Sequence, residues 1–347
     1  MKISFGLLKD LFTLGLYLFD VVSDIVVGVV YIIEGDTWWG GLTLAFAAVT
    51  LVVTNVIGAA LAWGDEIKSS WQIVFWAFAI LQLGMLFLLI YKLREKVKEN
   101  STDDGIKIDI LSTRLLEAFL ESAPQVVLQM YIMTQMPSVK WLTVISVVFS
   151  LISLIWVTRS VYMEGGDFSI KNVDGEYKWL AHVCLLVWLL LTIPATVISM
   201  ALFASYYTWI IFPVVAVYWV VNVIEIFILN YQHDRGWYIW MIPLFTFPSM
   251  FITSIWILIN EDGFSSIWIF VFVITQYVFN TSMFTPWFVA GGYDTWYGIP
   301  AAVAVWGGYI VGIMFMRMLF YLTGTRQDHA SHTRVPEEDN IEQQTEC

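Results

Sequence analysis

The sequence predicts an all-α polytopic membrane protein, on three observations. First, 59% of the 347 residues are apolar and 13% are charged, with a mean hydropathy of +0.73. A soluble domain runs nearer half apolar and a quarter charged, and so few charges do not coat a soluble surface of this size. A soluble enzyme is nearly excluded. Second, the apolar runs are continuous, as in Leu42–Trp63 and Ile210–Leu229, whereas a membrane β-barrel alternates with period two. Third, crossings of about 20 residues each fill the chain and leave no stretch for a sizeable soluble domain.

Ten apolar segments can be marked, at 11–33, 41–63, 71–92, 108–135, 139–162, 179–204, 208–231, 237–260, 266–285 and 297–322. The first follows an early Lys2 but contains Asp20 and Asp24 and lacks a small-residue cleavage site. It therefore reads as a spanning helix and not as a signal peptide. A polar connection separates the fifth and sixth segments. The expected units are a five-segment half over 1–163, a connector over 164–178, a second, similar half over 179–323 and a tail over 324–347. Trp38, Trp39, Trp63, Trp71, Trp141, Trp179, Trp209, Trp237, Trp287 and Trp296 fall near segment ends, as an interfacial aromatic belt requires.

Lysine and arginine positions set the orientation. If all ten segments cross with Lys2 inside, and Arg114 is set aside as intramembrane, 7 cations lie inside and 9 outside. If the third and eighth segments dip in and return, 15 lie inside and only Lys140 outside. The expected layout is therefore eight spanning helices, two re-entrant helices and both termini cytosolic. Pro243 and Pro248 interrupt the eighth segment, since proline removes a helical hydrogen bond. The third carries only Gln72, Gln82 and Gly84, so its return rests on the charge count. Re-entrant backbone is tolerated only where protein or a polar cavity covers it.

The strongest chemical signal lies in the fourth segment, IDILSTRLLEAFLESAPQVVLQMYIMTQ. At 100° per residue, Arg114, Glu117, Glu121, Gln125 and Gln129 share one 120° stripe. Each charge near a bilayer centre costs about 2.5–3.5 kcal/mol on insertion scales, so the stripe must face protein or water. Glu117 and Glu121 lie one turn apart, and two like charges so close need Arg114 or another cation. Pro124 lacks the N–H that bonds the carbonyl of Leu120, which places a kink beside the stripe. Asp20 and Asp24 form a second pair one turn apart in the first helix, with Arg114 and Arg159 as candidate partners. Such residues form either a structural ion-pair cluster or a path for lipid or ions. Asn55, His182, Asn222, Gln276 and Asn280 each read as interhelical hydrogen-bonding groups, and Glu225 with Asn222 stands out among these polar positions.

No nucleotide, zinc-protease or serine-hydrolase motif is present, so no enzyme activity and no cofactor are expected. His329, His332 and Cys347 do not make a metal site in a polar tail, and two cysteines imply no disulfide framework. The tail 324–347 carries Arg326 and Arg334 against Asp328, Glu337, Glu338, Asp339, Glu342 and Glu346, and such a composition does not fold alone. Nothing basic and aromatic-interleaved points to nucleic acid. The residues alone fit a passive lipid or ion pathway, an ion- or proton-coupled secondary transporter or a docking protein.

The fourth segment resembles the signature of the XK-related family of membrane proteins, of the type LDIxxLRLxExFLExAPQLxLQLYIM. The first helix, LFDVVSDIVVGVVYIIEG, is similar to the family's paired-Asp helix, and the ten-segment layout matches over about 1–323. The resemblance implies ATP-independent phospholipid scrambling at the plasma membrane, with phosphatidylserine exposure in apoptosis. By the same resemblance, Asp20, Asp24, Arg114, Glu117 and Glu121, with Gln125 and Gln129 on their face, lie at charged or polar path positions, and Arg159 and Glu225 match less closely. The resemblance also implies a tail that gates activity through caspase cleavage. It implies a single-span membrane partner or a lipid-transfer protein as further partners. The tail departs from that pattern, because cleavage after Asp339 puts Pro336 at the fourth position upstream; Asp339 is a weak site and Asp328 and Asp104 are no better.

The loop 93–107 carries a glycan acceptor at Asn100-Ser101-Thr102. On the cytosolic side it stays unmodified. A mobility shift on glycosidase treatment that the Asn100→Gln protein lacks would contradict the orientation.

Overall fold

The computed structural model of the chain describes residues 5–63, 69–80, 83–99, 104–136, 139–164, 177–231 and 266–333. Among them all regular structure is helical, with no strand. The helices are α1 (Phe5–Ile33), α2 (Thr37–Trp63), α3 (Ser69–Ile80), α4 (Gly84–Glu99), α5 (Asp104–Leu120) and α6 (Ser122–Gln135). They continue as α7 (Trp141–Glu164), α8 (Lys178–Tyr207), α9 (Ile211–Tyr231), α10 (Ser266–Val289), α11 (Gly298–Ala302) and α12 (Gly308–Thr333). Five runs among the described residues are long and apolar enough to cross a membrane: Leu8–Ile33, Thr37–Ile57, Trp141–Met163, Lys178–Ile228 and Gly298–Leu322. The eighth apolar segment with Pro243 and Pro248, most of the connector, Asn100 and Asp339 lie outside the described residues.

Continuous apolar sequence does not always make one helix. The third segment is two helices, α3 and α4, that fold back on each other. Trp71 near the start of α3 lies beside Tyr91 at the middle of α4, with ring centroids 6.3 Å apart, and the Arg94 guanidinium sits 4.0 Å over the Trp71 ring. Residues that distant in a straight helix would be over 30 Å apart, at 1.5 Å rise per residue. Phe75 and Phe78 pack on Phe87 between the arms, at 5.4 and 5.7 Å. At the turn the first amide of α4 has no intrahelical acceptor; Gly84 N–H donates instead to Asn55 Oδ1 on α2 at 2.8 Å. Only glycine fits here, because a Cβ at position 84 would lie 2.2 Å from that oxygen.

The fourth segment is also divided, at Glu121, where α5 gives way to α6. The ladder continues through the bend, from Glu121 N–H to Glu117 O and from Gln125 N–H to Glu121 O at 2.9 and 3.0 Å. Pro124 stands one turn beyond Leu120, whose carbonyl it cannot bond, in keeping with the expected kink. Between α8 and α9 the chain turns at Thr208, a β-branched residue at φ 43°, a strained conformation for such a side chain. The last helical run is interrupted by a π turn over Val303–Gly307, a feature that widens a helix by one residue. Residues 324–333, at the start of the tail, continue α12. Extending an existing helix needs no new nucleus, and so costs less than starting one.

α8 is the central element of the C-terminal half. Cys184, Leu185, Trp188, Leu189 and Ile193 are all fully buried, against α7, α10 and α12. Gly308 and Gly312, four residues apart, bring α12 onto Leu191 and Thr192 of α8, and a Cβ at 312 would lie 2.7 Å from the Thr192 methyl. Close approach through small residues is the normal way helices associate in lipid, where apolar surface gains nothing by leaving it.

Gly84→Ala expels the Asn55 carbonyl and leaves the α4 amide unpaired. It should cost about 1–3 kcal/mol, read as a lower melting temperature of detergent-purified protein by intrinsic tryptophan fluorescence; an unchanged transition would contradict the described turn.

Candidate functional site: a buried acidic cluster

One polar seam runs along α1. Asp10, Thr13, Tyr17, Asp20, Asp24, Tyr31 and Glu34 recur three, four or seven residues apart, a spacing that keeps one face of a helix toward its neighbours. Both ends are tied by ions: Asp10 to Lys92 at 3.8 Å, and Glu34 to Lys140 in a direct ion pair. α7 lies antiparallel to α1, since Trp156 Nε1 donates to Thr13 Oγ1 at 2.9 Å near one end and Tyr31 and Thr143 hydroxyls meet at 3.1 Å near the other.

The middle of the seam holds the charges. Asp20 accepts hydrogen bonds from Ser122 of α6 and Ser150 of α7, each at 2.5 Å. Asp24 accepts from Gln129 Nε2 at 3.0 Å and Ser146 Oγ at 2.9 Å. The Arg114 guanidinium pairs with Glu117 one turn along α5, donates to Ser153 at 2.9 Å and sits 5.0 Å over the Tyr17 ring. Gln125 Nε2 reaches across to the backbone carbonyl of Thr43 on α2 at 3.0 Å. All of these acidic, basic and amide side chains, with Glu121, are at most 3% exposed.

The charges do not balance. Four carboxyl groups, on Asp20, Asp24, Glu117 and Glu121, share one buried guanidinium. Breaking a buried pair leaves an uncompensated charge in a medium that screens poorly, so α1, α5, α6 and α7 must stay together once formed. The break in the fourth segment places acidic groups at the start of α6: Glu121 stands at the N-cap position without a side-chain cap hydrogen bond, and Asp20 accepts from the hydroxyl of Ser122, the first residue of α6. Even so, Asp24 Oδ2, Glu121 Oε1, Gln125 Oε1 and Gln129 Oε1 are buried with no hydrogen-bond partner among the described residues. The two amide oxygens are acceptors, and the two carboxyl oxygens accept when ionised and donate when protonated.

The structure thus brings together seven of the nine charged or polar positions singled out in the sequence. Arg159 is separate, 5.5 Å over the Trp156 ring, and does not serve as the Asp20 partner. Glu225 lies in the C-terminal half, accepting from Thr275 at 2.7 Å. Among the described residues there, buried contacts include neutral ones such as Asn280 Oδ1 with Ser199 at 2.7 Å and Asn280 Nδ2 with Thr196 at 3.2 Å. Sequence reasoning missed Ser122 and the hydroxyl stripe of α7, Thr143, Ser146, Ser150 and Ser153. Their spacing of three and four residues was a readable signal, but serine and threonine are ordinary in spanning helices because they bond their own backbone.

Fold and site together define a polytopic helical membrane protein whose N-terminal helices enclose an acid-rich polar core. The family model described as XK-related protein matches residues 9–323, and the chain belongs to the XK-related family. It is 29% identical over 213 residues to "XK-related protein 9" of Tetraodon nigroviridis, covering 54% of this chain and 56% of that one. It is 26% identical over 276 residues to "Cell death abnormality protein 8" of Caenorhabditis elegans, covering 65% and 59%. The chain spans little more than half the length of these curated relatives.

Arg114→Gln removes the one buried cation of the cluster and should cost about 3–5 kcal/mol, seen as loss of monodisperse protein on gel filtration. Adding Glu117→Gln should recover part of it. A single variant as stable as wild type would mean that the carboxyls do not depend on Arg114.

Proposed function

We propose that this protein moves phospholipids between bilayer leaflets without ATP, through the buried seam of α1, α5, α6 and α7, and so exposes phosphatidylserine on the cell surface. The observation that carries the reading is the depth of the seam. From Arg114 to Gln129 it spans about 22 Å of helix at 1.5 Å per residue, most of a hydrocarbon core of about 30 Å. Hydrocarbon excludes a headgroup for the same reason that it excludes a charged side chain. Polar groups at successive depths lower that barrier while acyl tails stay in lipid. With the carboxyls ionised, the acceptor excess suits the ammonium of phosphatidylserine, phosphatidylethanolamine or phosphatidylcholine.

In this reading the α3–α4 hairpin is re-entrant, entering and leaving on the cytosolic side, and its fold-back supports this. Asp10, Lys92, Arg94 and Arg159 gather at one end of the α1–α7 seam, which is the cytosolic end, and Glu34 and Lys140 mark the outer one. The termini are cytosolic, the protein sits in the plasma membrane, and the tail regulates it. The name of the nematode relative supports a link to cell death; a single-span membrane partner and a lipid-transfer protein are further candidates for association.

One observation favours a second reading. An excess of buried carboxyls is also what a proton- or sodium-coupled transporter uses.

Purified protein, trimmed at Gly324, should let an impermeant bleaching agent quench nearly all of a fluorescent phospholipid in liposomes, against about half without it. Glu121→Gln and Asp24→Asn should slow the second phase severalfold while eluting as wild type on gel filtration. If no lipid moves and a solute instead follows a proton or sodium gradient, the transporter reading replaces this one.

A further inference from the structure

We propose that the ion pair between Glu34 and Lys140 is a releasable latch that holds the α1–α7 seam shut over the acidic cluster at the end opposite Asp10. It rests on the reading of the cluster as a path. Above the layer of Asp24, Gln129 and Ser146, the buried charged and amide side chains of the described residues stop. Val27, Leu128, Ile132 and Tyr31 form an apolar plug, with Trp39, Leu42, Phe46 and Tyr131 packed around it. Val27, Ile132 and Tyr31 are at most 2% exposed, so the cluster is closed toward this end by about one helical turn of apolar side chains.

What holds the plug differs from what holds the cluster. Below it, α1 and α7 are joined by buried hydrogen bonds. Above it, they are joined by the Tyr31–Thr143 hydroxyl contact, by Lys140 lying 5.0 Å over the Tyr31 ring and by Lys140 paired with Glu34. The Lys140 and Glu34 side chains are 28% and 44% exposed. An exposed pair is weak and screened by salt, so it can part without disturbing the buried layer. One lysine touches both the plug residue Tyr31 and the end of α1, so its release frees both contacts together. A path that must open briefly and otherwise stay sealed needs a contact of this strength at its mouth.

The test reads the plug and not the lipid. Val27→Cys is placed in a Cys347→Ser chain, with buried Cys184 as the unreactive internal control, and the protein is held in nanodiscs so that both faces meet a charged thiol reagent. Lys140→Gln and Glu34→Gln should each raise the labelling rate at position 27 about threefold to fivefold, the range of an exposed ion pair. The exchanged pair, Glu34→Lys with Lys140→Glu, restores the ion pair but not the Lys140 contact with the Tyr31 ring, and should return the rate part of the way. If Val27→Cys is not recovered as folded protein, Ile132→Cys replaces it as reporter. Unchanged labelling in both single variants, or no recovery in the exchanged pair, overturns the latch. Faster labelling with protection partly restored in the exchanged pair supports it, and does so even if liposome assays find no lipid movement, in which case it is the scrambling reading that fails.

Discussion

Burial of four carboxyl groups around a single guanidinium is the constraint on which the N-terminal half depends. None of these groups can face lipid without a cost of several kcal/mol, and Asp20, Asp24 and Arg114 each depend on partners from other helices. Asp20 needs Ser122 and Ser150, Asp24 needs Gln129 and Ser146, and Arg114 needs Ser153 as well as Glu117. α1, α5, α6 and α7 therefore have one arrangement that pairs them, and a shift of any helix by a single turn would separate several donors from their acceptors. The bend at Glu121 belongs to the same solution, because it brings the hydroxyl of Ser122 to Asp20.

The remaining helices are arranged around that layer. α2 contributes the Thr43 carbonyl to Gln125 and Asn55 to the turn of the α3–α4 hairpin. The hairpin in turn covers the Asp10 end of the seam, where Tyr17 packs with Phe75, Phe87 and Tyr91 while its ring faces Arg114. The C-terminal half follows different rules. Its core is apolar and closely packed around α8, its buried polar contacts among the described residues include neutral ones, and glycines bring α12 against α8.

Much of this was legible in the sequence. Continuous apolar runs gave the helices, and an angular count put Arg114, Glu117, Glu121, Gln125 and Gln129 on one face. The i, i+4 spacing singled out Asp20 and Asp24, and Pro124 located the bend to within a turn. What was not legible was pairing. A helical wheel gives direction but not which helix lies opposite, so Arg159 remained a candidate beside Arg114, and Glu225 could not be separated from a cluster in the other half. The hydroxyls of α7 were hidden for a different reason: serine carries no charge to demand a partner, and its role appears only when Asp20 stands 2.5 Å away. The hairpin was visible only indirectly, through the distribution of lysine and arginine, since α3 and α4 are each as apolar near their turn as a continuous helix would be.

The most direct test of the central claim asks where headgroups go. Protein in bilayers doped with a phospholipid carrying a photoactivatable headgroup is irradiated, and adducts are assigned by mass spectrometry. If the buried seam is the path, adducts fall on its inward-facing residues, among them Gln125, Ser146 and Ser150, and disappear in the Asp20→Asn, Glu121→Gln protein. Adducts confined to lipid-facing side chains such as Val22, Val29 and Ile145, which are exposed on the same helices, would contradict the account and leave the cluster as the ion-paired core of a folded bundle.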